Sequence, residues 1–169
     1  MSPASQVIAI AMGGTIDKDY IVESAALEVV DPFVSWIMPQ LRMAEELPIV
    51  PLLRKDSLVL DDADRSRLLA YIVEHDLRRL LVSHGTDTLL VTASAVAQAR
   101  VDGTLPNDVT AVFFGAFRPG RFSPAEASFN FGFAFAVAQS APPGVYIAMG
   151  GRYDTIEHVT HANGQFLYE

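Results

Sequence analysis

Hydrophobic residues along this chain fall into two spacings. Five short runs rich in Val, Ile, Leu and Phe, at 6–12, about 48–53, 79–83, 109–115 and 144–149, read as buried strands. Longer stretches with helical spacing separate them. In "DDADRSRLLAYIVEHD" (61–76) the pairs Leu68/Leu69 and Ile72/Val73 recur one turn apart, and Asp61 and Asp62 stand where a cap belongs. "GTDTLLVTASAVAQAR" (85–100) is Ala-rich and apolar on most faces, which predicts a buried helix starting over 85–88 and ending before Asp102-Gly103.

One segment carries two patterns. In "FSPAEASFNFGFAFAVAQS" (122–140) the phenylalanines at 129, 131, 133 and 135 alternate as in a strand. Ser123-Pro124-Ala125-Glu126, however, has the form of a capping box around a proline at the first helical position, and it assigns the segment to helix. Strands alternating with helices imply an α/β fold. The expectation is one domain over 1–169, with an open, mostly parallel sheet of about five strands and helices on both faces, flavodoxin-like or Rossmann-like in its three layers. Pro48 and Pro51 bracket the second strand and predict an edge position. The near-repeat "IAMGG" at 10–14 and 147–151 has no matching flanks, so it reads as two strands ending in similar turns.

Composition narrows the function. The 169 residues are half hydrophobic, with a formal charge of −8. Mean hydropathy is +0.26, which excludes a disordered chain. No basic patch is present to displace counterions from a nucleic acid, and an acidic chain is repelled by an anionic membrane surface. Without cysteine there are no disulfides and no thiolate chemistry. "MSPASQ" lacks the Lys or Arg of a signal-peptide leader, and no run has the length of a membrane span, so a cytoplasmic protein is expected.

Ligands of parallel sheets bind at the carboxyl ends of the strands, and four polar clusters fall there. Gly13-Gly14-Thr15-Ile16-Asp17 closes the first strand and fits neither GxGxxG nor a phosphate loop ending in GK[ST]. "SHGTDT" (83–88) is either a set of helix caps or a site. Asp56-Ser57 is either a turn or a site. "EHVTHAN" (157–163) holds His158 and His161, but without a third ligand or HExxH no metal is expected.

Taken together, "MGGTID" and "SHGTDTLLVTA" resemble the two signatures of the L-asparaginase family, and "FFGAFRPGRFSPAEASFNFGFAFAVA" is similar to a third segment of that family. The resemblance covers the family's amino-terminal domain, as in its short members. It implies an amidohydrolase that cleaves the side-chain amide of L-asparagine, or a related small amide, through a threonine nucleophile and an acyl-enzyme, with no metal or organic cofactor. By position, Thr15 is then the nucleophile, Thr86 activates the attack, and Asp87 binds the substrate's α-ammonium. Ser57, after Asp56, binds the α-carboxylate, Gly14 lets the backbone approach the ligand, backbone N–H groups at the Gly85–Thr88 helix start stabilise the oxyanion, and Tyr20 is the tyrosine of a mobile loop.

One departure stands out. The family lysine of a "VTK" motif is replaced by His161 in "VTHAN", and the chain's two lysines are Lys18 and Lys55. Histidine can act as a base near neutral pH, so His161 is either a catalytic replacement or a packing residue. An inactive amino-acid-binding module with the same pocket is therefore the alternative reading. A single domain would leave the pocket open to water on one side, and a homodimer or higher homo-oligomer is expected to close it.

Overall fold

The computed structural model describes residues 6–169; residues 1–5, most of the segment read above for leader charge, lie outside that range. Its first strand, β1 (Val7–Gly13), pairs in parallel with both β4 (Ile49–Lys55) and β5 (Arg79–Ser83). The sheet continues in parallel through β6 (Thr110–Phe114) and β7 (Gly144–Met149), and β8 (Arg152–Thr155) closes it antiparallel. The strand order is β4-β1-β5-β6-β7-β8. All five expected strands are present. Parallel strands sandwiched between helices are apolar along their whole length, and every residue of β6 and β7 is buried.

Three further features were not predicted. The edge strand β8, the hairpin β2–β3 (Lys18–Ile21 and Ala26–Val29) and the hairpin β9–β10 (Val159–Ala162 and Gln165–Tyr168) bring the central sheet to six strands and add two small sheets. Each of these strands is four residues long and, Val159 apart, exposed or only partly buried, so no hydrophobic run announces it. The twin "IAMGG" segments do end similar strands, yet lead elsewhere: one into a 3-10 turn, the other into the turn before β8.

Helices α1 (Phe33–Ile37), α2 (Asp62–Glu74), α3 (Leu89–Val101) and α4 (Pro124–Ser140) form the outer layers. α3 and α4 both pack on β6 and β7 and therefore take opposite faces; α2 lies beside α3, and α1 beside α4. α4 is helical as the proline predicts, burying Ala127, Phe131, Ala134 and Ala138 in one stripe. The expected capping box is absent: Ser123 makes no cap bond, and Glu126 instead accepts the Phe117 N–H at 2.9 Å. α3 starts at Leu89 rather than within 85–88, because that stretch is drawn into the strand-end contacts described below. Pro51 sits on β4 at the sheet edge, in register with Ala11, where its missing N–H is harmless.

α2 begins as its sequence requires. Asp61 accepts the Asp64 N–H at 2.9 Å, and Asp64 returns the bond to the Asp61 N–H at 3.2 Å. Asp64 also takes the Lys55 ammonium at 2.8 Å, which ties the start of α2 to the end of β4. Asp61→Ala is expected to destabilise the fold by about 1 kcal/mol, read as a lower urea midpoint at unchanged m-value.

Candidate functional site

The carboxyl ends of β1, β4, β5 and β6 meet because glycines leave no side chains between them. A Cβ on Gly14, whose φ is +91°, would lie 2.2 Å from the Gly85 Cα. One on Gly85 would lie 2.4 Å from the Ser57 Oγ, and one on Gly115 2.4 Å from the His84 carbonyl oxygen and 3.5 Å from the Thr86 Cγ2. Contacts this close exclude any L side chain without backbone movement. The segments carrying Thr15, Ser57 and Thr86-Asp87 are thereby pressed together.

Within this cluster the polar groups are specifically engaged. Thr15 opens a 3-10 turn, Thr15–Asp17, and is partly buried. Ser57 is buried, and its hydroxyl points to Asp87 Oδ2 at 3.4 Å. Thr88 donates its hydroxyl to the Ser57 carbonyl at 2.7 Å and makes no cap bond, so the capping reading of "SHGTDT" fails at that residue. Thr86 is buried and Asp87 exposed. Asp56 accepts the Leu58 N–H at 3.1 Å and pairs with the Lys18 ammonium, which holds its carboxyl below the usual range. His84 is fully buried and bonded through both ring nitrogens, to the Gly85 carbonyl and the Thr92 hydroxyl, each at 2.8 Å. Burial lowers its pKa to about 4 and keeps the ring neutral.

Two expected members stand apart from these bonds. Tyr20 is half exposed on β2, opposite Leu27, and thus belongs to a hairpin strand rather than to an irregular loop. His161 lies on β9 opposite Phe166 and stacks on that ring, centroids 4.6 Å apart and planes 12° from parallel. Its Nε2 is buried with no hydrogen-bond partner among the described residues. Phe117 packs on the pair, beside a cavity of about 600 Å³ lined by Phe129, Asn130, Met149 and Tyr168 among others. Asn130 was missed by sequence reading. It bridges the ends of β6 and β7 by donating to the Gly115 carbonyl and accepting from Gly150, and its signal was a polar side chain within the phenylalanine-rich stretch of α4. Among the described residues no group of three potential ligands is placed to hold a metal ion, and no helix is long and apolar enough to cross a membrane.

Polar side chains gathered by close contacts at the carboxyl ends of a mostly parallel sheet define an α/β protein with a candidate site at its strand ends. Residues 6–165 match the model of the asparaginase amino-terminal domain, and the chain belongs to that family. Among solved structures, its fold is similar to the thermostable L-asparaginase from Thermococcus kodakarensis, with a TM-score of 0.81 and 20% identity over 96% of this chain and 51% of that one. L-asparaginase I from Vibrio cholerae gives 0.75 and 21% over 98% and 51%. A probable cytoplasmic L-asparaginase from Campylobacter jejuni gives 0.71 and 22% over 94% and 50%. The chain spans about half the length of these proteins. No curated protein matches it by sequence.

Asp17 ends the Thr15 turn and is almost fully buried. Its carboxylate accepts the Phe33 N–H at 2.7 Å, and its carbonyl accepts from Val30 at 3.0 Å. Burial raises its pKa to about 7, only partly opposed by the Phe33 bond and the Arg121 guanidinium. The folded protein therefore binds this proton more tightly than the unfolded chain does, and stability falls as pH rises from about 4 to 7. Asp17→Asn, which keeps the acceptor for Phe33, is expected to remove up to about 1.4 kcal/mol per pH unit of that slope. Urea melts of both proteins at pH 5 and pH 8 check this, with the variant gaining on the wild type at pH 8.

Proposed function

We propose that this protein hydrolyses the side-chain amide of L-asparagine, or of a closely related small amide, to the acid and ammonia. The observation that carries the reading is the packing of Gly14 against Gly85 and of Gly85 against Ser57, which gathers Thr15, Ser57, Thr86 and Asp87 at one end of the sheet. Family membership supports it. In this reading the Thr15 oxygen bonds to the amide carbon, its proton passes to the leaving nitrogen, and the carbon–nitrogen bond breaks to release ammonia. Water then adds to the ester carbon, the ester bond breaks, and the Thr15 hydroxyl is restored. Thr86 assists the proton transfers, Asp87 holds the α-ammonium and Ser57 the α-carboxylate. Backbone N–H groups of the 85–88 turn are the candidates for stabilising the oxyanion. A second copy of the chain laid over the exposed Tyr20, Leu58 and Val59 would dry the mouth of the site, which strengthens each of these interactions.

The binding-module reading is favoured by one observation. His161 is fastened by stacking on Phe166 and shares no hydrogen bond with Thr86 among the described residues. A protein that holds an amino acid without turning it over would bind L-aspartate and release no ammonia.

Thr15→Ala is expected to lower ammonia release from L-asparagine by about a thousandfold or more while the circular dichroism stays unchanged. Retained turnover would remove Thr15 from the chemistry. His161→Phe, which keeps an aromatic ring on Phe166, is expected to change turnover by less than about tenfold. A larger loss at unchanged melting temperature would make the imidazole a participant.

A further inference from the structure

We propose that Lys18 decides whether the site accepts a substrate carrying an α-carboxylate, and that it does so by neutralising Asp56. The proposal rests on the reading that Ser57 and Asp87 hold the two charged ends of an amino acid. Lys18 closes the Thr15–Asp17 turn, its N–H bonding to the Thr15 carbonyl. Lys18 has extended backbone and opens β2, directly after the turn that carries Thr15. Its ammonium reaches Asp56 Oδ2 at 2.5 Å, and both side chains are largely shielded, at 21% and 33% exposure. Asp56 directly precedes Ser57, whose hydroxyl faces Asp87.

Ser57 thus has two neighbouring aspartates, Asp87 facing its hydroxyl and Asp56 preceding it in the chain, and they differ in their charge partners. Asp87 has no ion-pair partner among the described residues, as a receptor for an ammonium requires. Asp56 has its charge cancelled by Lys18. Were both uncompensated, a substrate carboxylate brought to Ser57 would meet two uncancelled negative charges on neighbouring residues and be repelled. With Lys18 in place one side of Ser57 is neutral and the other negative, which matches the dipolar end of a free α-amino acid. A simple latch between the Thr15 turn and the Asp56–Ser57 turn would produce the same ion pair. The two roles separate by substrate, because a latch affects every amide alike.

The experiment compares Lys18→Met with the wild type on L-asparagine and on 3-aminopropanamide, which is asparagine without its α-carboxylate. KM for L-asparagine is expected to rise about tenfold with little change in kcat, since a hydrogen-bonded charge contributes on that scale, whereas kcat/KM for 3-aminopropanamide stays constant. Adding Asp56→Asn, which removes the uncompensated charge, is expected to restore most of the affinity for L-asparagine. Equal effects on both amides, or no restoration in the double variant, would overturn the proposal. If the wild type hydrolyses neither amide, the hydrolase reading fails while the role of Lys18 is still decided by binding. Thermal-shift titration with L-aspartate and with β-alanine should then show Lys18→Met weakening L-aspartate alone. Equal weakening, or no binding of either by the wild type, would overturn it.

Discussion

The architecture of the site depends on the close approach of the Gly14 and Gly85 backbones, and of the Ser57 side chain to Gly85, at points where the glycines present no side chain. Gly14, Gly85 and the Ser57 segment come from three different strand ends, yet they touch at distances no Cβ permits. Gly13 is equally confined, since a Cβ there would lie 2.4 Å from the Lys55 carbonyl oxygen. These contacts set the heights at which Thr15, Ser57 and Thr86 stand above the sheet. They also force the helix after β5 to begin four residues later than its composition suggests. The polar residues of "SHGTDT" fit that delay: with 85–88 outside the helix, the Thr88 hydroxyl bonds the Ser57 carbonyl of the neighbouring turn instead of capping α3.

A second layer of polar contacts fixes the Thr15 turn from below. Asp17 binds the start of α1, the Ile16 carbonyl accepts from Gly120, and Arg121 donates to the Asp31 carbonyl. The hairpin β2–β3, α1 and the loop after β6 are all gathered around three residues of one turn. A buried carboxyl serves there because a short polar side chain can bond a backbone N–H that a hydrophobic residue would leave unpaired.

Sequence reading recovered most of this, for definable reasons. Buried parallel strands announce themselves as apolar runs, so β1, β4, β5, β6 and β7 were legible to within about two residues. α2 was legible from Asp61 and the repeated apolar pairs. The edge strand β8 and the two small hairpins were not, because strands such as Arg152–Thr155 are held by pairing with a neighbour rather than by burial of their own side chains. Glu126 misled for a similar reason: it satisfies a distant N–H, that of Phe117, in preference to the local one its spacing suggested. The strand-end clusters were legible as clusters. That Lys18 would fold back onto Asp56 was not, since nothing in the spacing of residues 18 and 56 reports a contact made through two turns.

The place of β1 between two strands that come later in the sequence bears on how the chain is made. β1 comes early in the sequence, but its partners β4 and β5 lie at 49–55 and 79–83, and its closing turn is held by Gly85 and Gly120. During synthesis, which runs from the amino end, the first strand must wait for its neighbours, and the Thr15 turn for residues a hundred positions later. Contacts so distant in sequence are the slow ones to form. A nascent chain interrupted before residue 120 would have made every residue of the Thr15 signature and yet lack the geometry that shapes it.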